Sequence, residues 1–206
     1  MISPTGTLIA VEGIDGVGKT TQVRLLRQVL AERGADLVCS REPTDGKWGK
    51  LIRESALTGR LTLPEELQAF INDRQEHTDK VIRPALERGA IVLLDRYYFS
   101  TIAYQGSRGA DVAELAAQMQ RQFYQPQAVL LIDCDPAVSL VRIRETRGDI
   151  PNEFERADLL AAAREVFLQL AAADPSIHVL DGHRSVELVH SAIVSLLTNG
   201  ALAKVL

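Results

Sequence analysis

Five short apolar segments recur along the chain, and each has the length of one β-strand. Segments whose apolar residues recur at helical spacing separate them. This alternation predicts a parallel α/β sheet, and short, wholly apolar strands are typical of sheets covered on both faces. The predicted strands are residues 7–12, 37–41, 91–95, 128–133 and 177–180.

The helical pattern between these strands is broken at residues that start or stop helices. A segment that extends to residue 88 opens with Thr62 and Glu65 at capping-box spacing, and Pro84 is expected to kink or end it. Gly106 is expected to end a short helix after the third strand. The remaining predicted helices are residues 22–33, 49–58, 111–124, 136–146, 155–173 and 185–197.

The first predicted strand leads into a glycine loop that fits the phosphate-binding pattern G-x-x-x-x-G-K-[ST]. Backbone N–H groups of such a loop turn towards phosphate oxygens at the N-terminus of the following helix. Lys19 is expected to reach the β- and γ-phosphates of a nucleotide, and the Thr20 hydroxyl to ligate Mg²⁺. The strand before the loop and the helix after it favour this interpretation over a chance match. The predicted nucleotide-binding residues are Gly13, Gly16, Gly18, Lys19, Thr20 and Thr21.

The third predicted strand ends in a carboxylate, Asp95, which Arg96 follows directly. An acid in this position holds Mg²⁺ or its water in P-loop enzymes, and an arginine here suits bidentate binding of a phosphate. The alternative is a surface Asp–Arg pair, which the buried character of the strand makes the weaker interpretation.

One face of the predicted helix after residue 62 carries Phe70, Asp73, Arg74 and His77 at spacings of three and four residues. Taken as isolated residues, they fit a core phenylalanine beside a surface ion pair. A flat ring beside a directed donor also suits a planar heterocycle, through stacking and edge hydrogen bonds. His77 is expected to be structural.

Three arginines, Arg142, Arg144 and Arg147, crowd the end of the helix predicted after the fourth strand. They fit either a solvated helix face or a lid, over about residues 142–155, that closes on phosphates. The residues alone do not choose between the two.

Composition narrows the function further. A chain of 206 residues suits one domain, predicted as a single P-loop domain over residues 1–206, and its net charge of −4 gives no support to binding of polymeric nucleic acid. No stretch has the length and apolarity of a membrane span or a signal peptide. Cys39 and Cys134 show no disulfide or metal-ligand spacing, and we expect a reduced, cytoplasmic protein.

The motifs together resemble the thymidylate kinases, P-loop kinases of nucleoside monophosphates. The resemblance covers residues 8 to about 197, and the family's motifs occur along the chain in the family's order. They are Glu12-Gly-Ile-Asp-Gly-Val-Gly-Lys-Thr20, Arg41-Glu-Pro43, Phe70-Ile-Asn-Asp-Arg74, Asp95-Arg-Tyr97 and Ser100-Thr-Ile-Ala-Tyr-Gln-Gly106. It implies a three-layer α/β/α fold with sheet order 2-3-1-4-5 and a homodimer. It also implies Mg²⁺-dependent transfer of the ATP γ-phosphoryl group to dTMP, which gives dTDP for dTTP synthesis.

The resemblance also implies roles for residues at the acceptor. Asp15 would contact the 3′-hydroxyl of the sugar, and Arg41 and Arg96 would bind the acceptor phosphate. Phe70 would stack on thymine while Arg74 donates to its O4 atom.

On the helix after the third strand, Thr101 and Gln105 would contact base or sugar edges, and Tyr104 would crowd the 2′ position. Relatives without an arginine at the position of Gly16 supply one from the lid, so the resemblance favours the lid interpretation. It makes Lys19, Asp15, Arg96 and Arg147 the catalytic set, with Arg142 and Arg144 also near ATP.

Two segments depart from the pattern of many relatives. Thr44-Asp-Gly46 replaces Gly-Gly-Thr, and the lid reads Gly148-Asp-Ile-Pro-Asn152 where many relatives have an Asp-Arg pair. These departures leave open a kinase of another deoxynucleoside monophosphate or of a nucleoside. A GTPase switch, from a different class, would need an Asn-Lys-x-Asp motif that the sequence lacks.

Overall fold

The computed structural model describes residues 5–147 and 156–199. Five parallel strands form one sheet in the order β2-β3-β1-β4-β5, which confirms the predicted sheet. The strands are β1 (Thr7–Glu12), β2 (Leu37–Arg41), β3 (Ile91–Asp95), β4 (Ala128–Asp133) and β5 (Ile177–Asp181). Helices pack around this sheet, α1 against α9 and α5 against α8, in the predicted α/β/α arrangement.

Helices occupy the segments between the strands. Their bounds are α1 (Lys19–Glu32), α2 (Lys47–Thr58), α3 (Leu63–His77), α4 (Arg83–Glu87), α5 (Tyr98–Gly106), α6 (Val112–Gln122), α7 (Pro136–Arg147), α8 (Ala157–Ala173) and α9 (Val186–Asn199). Helix α2 begins two residues before the predicted start because Gly46 is extended and its carbonyl accepts from Lys50 N–H at 3.0 Å.

The helical run after residue 62 changes form before Pro84 instead of continuing as one α-helix. Helix α3 ends at His77, a π-helical turn occupies Thr78–Ile82, and α4 follows. Within that turn the Arg83 N–H donates to the Thr78 carbonyl, five residues earlier. Pro84 has no N–H to continue an α-helical ladder, and the wider turn carries the helical path through it.

The core lies on the sheet. Every residue of β1 is buried, as are the four residues of β3 before Asp95. Burying a side chain such as Leu93 contributes about 1.5–3 kcal/mol. Cys39 and Cys134 are both unpaired, and no helix in the described ranges has the length and apolarity needed to cross a membrane.

The parallel sheet brings the carboxyl ends of all five strands to one edge. Arg41 is in register with Asp95, and Asp95 with Val11. The motifs that follow β1, β2 and β3 therefore meet at this edge, where ligands of such sheets bind.

Candidate active site

A cleft of about 890 Å³ lies along this edge of the sheet. Sheet order divides it into two halves. β2 lies at one margin, so Arg41, Phe70 and Arg74 line what we call the β2 side. β5 lies at the other margin, so Arg184 and Val186 line the β5 side. The glycine loop follows the central strand β1 and lies between the β2 side and the β5 side. The volume and layout of the cleft suit two ligands bound next to each other.

The glycine loop takes a backbone path that requires glycine. Gly13, Gly16 and Gly18 have φ values of 135°, 78° and 97°, in the region where side chains are strained. At Gly16 a Cβ atom would also lie 2.4 Å from the Ser139 carbonyl oxygen of α7. A larger side chain at this position would therefore clash with α7, because the loop packs directly against that helix.

Lys19, at the first residue of α1, folds back over the loop. Its Nζ donates to the Ile14 carbonyl at 2.7 Å, and the residue is buried. Burial, and then the charge of Arg96, lower the pKa of Lys19 to about 8, against the opposing attraction of nearby carboxylates. The ammonium is thus a poorly solvated charge, suited to binding phosphate anions.

Asp15, Arg96 and Tyr104 form one hydrogen-bonded cluster. Arg96 Nη2 donates to Asp15 Oδ1 at 2.7 Å, and the Tyr104 hydroxyl donates to Asp15 Oδ2 at 2.8 Å. Burial alone would raise the pKa of Asp15, but the charges of Arg96 and Lys19 outweigh it and lower the pKa to about 2. Asp15 is therefore a fixed carboxylate and acceptor at neutral pH.

Arg96 is held by a buried acid that sequence reasoning passed over. Glu12 accepts from the Tyr97 N–H at 2.7 Å and from the Ser100 hydroxyl at 2.6 Å. Ser100 Oγ in turn accepts from Arg96 Nη1 at 2.8 Å. Arg96 has a φ of 69°, the one positive φ of a non-glycine residue within the described ranges. Such a conformation persists where its surroundings determine it, and here they aim the guanidinium at Asp15.

Thr20 and Asp95, the two predicted metal ligands, lie next to each other in the cleft. The Thr20 hydroxyl donates to Asp95 Oδ2 at 2.5 Å, and both residues line the cleft. A hydroxyl and a carboxylate are hard oxygen ligands of the kind that Mg²⁺ takes together with substrate phosphates. The residues present fit that ion.

Arg74 is a rigid donor at the β2 side. Its side chain is 1% exposed; Nε donates to Glu42 at 2.8 Å and Nη2 to Thr101 Oγ1 at 2.8 Å. The guanidinium also lies 5.5 Å from the ring centre of Tyr97. Phe70, one turn earlier on α3, is half-buried and lines the same wall. Because the pair of Arg74 with Glu42 is buried, the interpretation as a surface ion pair is wrong for Arg74.

Gln105 lies away from this wall. It is fully buried, and its Nε2 donates to Glu66 Oε1 at 2.9 Å. Gln105 is absent from the lining of the cleft while its neighbour Tyr104 is present. One step along a helix rotates a side chain by about 100°, which turns Gln105 towards α3. The arrangement therefore gives no support to its predicted contact with base or sugar.

The phosphate-binding arginine predicted on β2 lies at the mouth of the cleft. Arg41 is exposed and pairs with Asp45 at 2.8 Å. Arg53 of α2 pairs with the same carboxylate at 3.1 Å and also lines the cleft. The sequence analysis did not select Arg53. Its place at the cleft depends on the start of α2 at Lys47, six residues earlier.

Comparison with known proteins agrees with this geometry. The sequence model described as thymidylate kinase matches residues 11–193. The chain belongs to the thymidylate kinase family. A thymidylate kinase of Xanthomonas euvesicatoria pv. vesicatoria is 46% identical over 205 residues, covering 96% of this chain and 88% of that protein. A thymidylate kinase of Xylella fastidiosa (strain M12) is 44% identical over 195 residues, covering 95% of this chain and 88% of that protein.

The crystal structure of thymidylate kinase from Ehrlichia chaffeensis is similar over the whole fold. The TM-score between the two structures is 0.74, and their sequences are 30% identical. The match covers 94% of this chain and 99% of the Ehrlichia chaffeensis chain. Family membership confirms the prediction of an enzyme, a thymidylate kinase, and with it the prediction of the P-loop fold.

The predicted lid arginines of this thymidylate kinase separate in the structure. Arg142 lines the cleft, and its Nη1 donates to the Gly182 carbonyl at 2.9 Å. Arg144 is exposed and outside the lining. The side chain of Arg147 and residues 148–155 of the lid lie outside the described part of the chain. Of the two lid arginines whose side chains the structure describes, Arg142 is the one that lines the cleft.

The β5 side of the kinase cleft went unpredicted. The loop before α9 contributes Arg184 and Ser185, and α9 contributes its first residue, Val186. Gln22 Nε2 donates to the Val186 carbonyl at 2.9 Å. No motif marks these residues. The sheet order was the available signal, because the loop after β5 must reach the edge that carries the glycine loop.

Proposed function

We propose that this thymidylate kinase transfers the γ-phosphoryl group of ATP to dTMP, giving ADP and dTDP, with dTMP on the β2 side and ATP on the β5 side. The observation that carries this assignment is the single cleft that joins the glycine loop to the Phe70 and Arg74 wall. A phosphate-binding loop alone suits any nucleotide, but this wall adds a second site for a planar base.

The donor half is built to hold triphosphate. The loop amides and the N-terminus of α1 bind phosphate oxygens, and Lys19 exchanges its contact with the Ile14 carbonyl for the β- and γ-phosphates. Thr20 and Asp95 would hold Mg²⁺, which supplies charge neutralisation on the phosphates when bound. Arg142 adds a cation from α7, the helix against which Gly16 packs.

The acceptor half orients the monophosphate. Phe70 stacks on thymine, and Arg74 donates to its O4 atom while Thr101 lies next to the same guanidinium. Asp15 accepts from the sugar hydroxyl, and Tyr104, hydrogen-bonded to Asp15, limits space at the 2′ position. Arg41 and Arg96 bind the phosphate that accepts the transferred group.

The chemistry needs no strong general base, because an oxygen of the acceptor phosphate is already anionic. Catalysis then comes from alignment of the two phosphates and from charge that opposes the loose transition state. Lys19, Arg96 and an arginine of α7 or the lid provide that charge. A nucleoside acceptor would instead require removal of a hydroxyl proton, and it would leave Arg41 and Arg96 without a phosphate to bind.

Three further features belong to this proposal as predictions. They are a homodimer, a single P-loop domain whose lid covers about residues 142–155, and a cytoplasmic location. The two unpaired cysteines agree with a reducing compartment.

Replacement of Phe70 by alanine tests the assignment of the two halves. Stacking of one base on an aromatic side chain is worth about 1–3 kcal/mol, so KM for dTMP should rise about tenfold to a hundredfold. KM for ATP should stay within about twofold of wild type on the same scale.

Val186→Ala, on the β5 side of the same cleft, is the matched control and should affect KM for ATP and not KM for dTMP. Equal changes of both KM values in Phe70→Ala would show that the phenylalanine is only part of the core.

A further inference from the structure

The loop between β2 and α2 carries a carboxylate that lies between two cleft arginines. Arg41 Nη2 is 2.8 Å from Asp45 Oδ1 and 3.1 Å from Oδ2, and Arg53 Nη2 is 3.1 Å from Oδ1. Both arginines line the cleft, whereas Asp45 lies outside the lining. The chain thus supplies its own anion to the guanidinium groups that face the β2 side.

The position of Asp45 is set by buried structure next to it. The Thr44 N–H and hydroxyl donate to the two oxygens of Asp73 at 2.8 and 2.6 Å, and Asp73 is 1% exposed. After the loop, a Cβ atom at Gly49 would lie 1.9 Å from the Thr44 carbonyl oxygen, so α2 packs closely on it. The segment that departs from the Gly-Gly-Thr pattern is therefore an anchored turn that presents Asp45 to the arginines.

We propose that Asp45 sets the affinity for the acceptor by competing with its phosphate for Arg41 and Arg53. This inference rests on the proposed function, since it concerns the phosphate of the monophosphate acceptor. A phosphate dianion offers more charge and more acceptor oxygens than a carboxylate to the forked donors of arginine. It displaces Asp45, and part of its binding free energy is consumed in doing so.

The same competition acts against weaker ligands. A nucleoside has no anion with which to displace Asp45, and a singly charged anion only matches it. Exposed pairs of this kind contribute little to folding, so Asp45 is free to act on ligand binding without being needed for the fold. Arg41 and Arg53 are 62% and 41% exposed, and Asp45 is 72% exposed.

The test is Asp45→Asn, which keeps the shape of the side chain and removes its charge. Because the competing charge is lost while the contacts of the phosphate remain, Kd and KM for dTMP should fall about threefold to tenfold. The kcat value and KM for ATP should not change. Because exposed charges are screened by salt, the difference from wild type should shrink as sodium chloride is raised.

Asp36→Asn is the matched control. Asp36 is also exposed and pairs with Arg88 at 2.8 Å, but it precedes β2 and so lies at the opposite edge of the sheet from the cleft. This variant should bind dTMP as wild type does, and both variants should melt close to wild type.

An Asp45→Asn variant with unchanged dTMP affinity would overturn the inference, and one with weaker affinity would show that Asp45 positions the arginines for phosphate. Either result, with wild-type protein that phosphorylates dTMP, leaves the proposed function standing. Wild-type protein that phosphorylates no monophosphate would refute the proposed function itself.

Discussion

Replacing Lys19 by methionine should abolish turnover and yet remove a cost to stability. Lys19 is buried, and burial together with the charge of Arg96 lowers its pKa from 10.5 to about 8. A base with a lowered pKa is destabilising in its charged form. The cost is fully present below the folded pKa and disappears as pH rises through the unfolded pKa.

The size of this cost follows from the shift. At about 1.4 kcal/mol per pKa unit, charged Lys19 costs about 3 kcal/mol near neutral pH. The variant also leaves the Ile14 carbonyl without its 2.7 Å donor, an opposing loss of about 1–3 kcal/mol. The net change at neutral pH is therefore between about zero and a gain of 2 kcal/mol.

The pH dependence separates the two contributions, because loss of a carbonyl partner does not titrate. Between about pH 7 and pH 9.5 the wild type should gain about 2 kcal/mol of unfolding free energy relative to Lys19→Met. Urea unfolding of both proteins across this range measures the difference. Parallel curves, or a wild type that loses stability relative to the variant as pH rises, would refute the argument.

Two further predictions concern α7 and the glycine loop. Gly16→Ala should lower the free energy of unfolding by about 1–3 kcal/mol in chemical denaturation, because its Cβ would meet the Ser139 carbonyl at 2.4 Å and φ is 78°. Gly34→Ala, with φ of 75° and open space at its Cβ, controls for backbone strain; equal losses would remove the steric explanation. Arg142→Ala should lower kcat by about tenfold or more through loss of a cation at the phosphates, whereas Arg144→Ala should leave steady-state turnover unchanged. A larger effect at Arg144 would reverse the assignment from their positions.

The sequence was sufficient to predict the parts of the fold and site that follow from local pattern. β1 and the glycine loop are contiguous, so strand, loop and helix were readable together. The Asp95 position followed from the rule that parallel strands end at one edge, and the structure places it 2.5 Å from Thr20.

Features that depend on packing between distant elements could not be predicted from the sequence. Gln105 was expected at the substrate. Its amide instead donates a hydrogen bond to the buried acid Glu66, which lies on another helix. Arg142 and Arg144 were grouped by proximity in sequence, although two residues along a helix rotate a side chain by about 200°. The role of Asp45 required the position of Arg53, and that required the start of α2 at Lys47.

We propose that the protein phosphorylates dTMP in this cleft and uses ATP as the phosphoryl donor. The most direct measurement is kcat/KM for dTMP, dUMP, dCMP, dGMP, dAMP and UMP with ATP and Mg²⁺, followed through ADP release and identification of the diphosphate. We expect dTMP to have the highest kcat/KM and to yield dTDP. A higher value for another monophosphate, or no diphosphate product from dTMP, would contradict it.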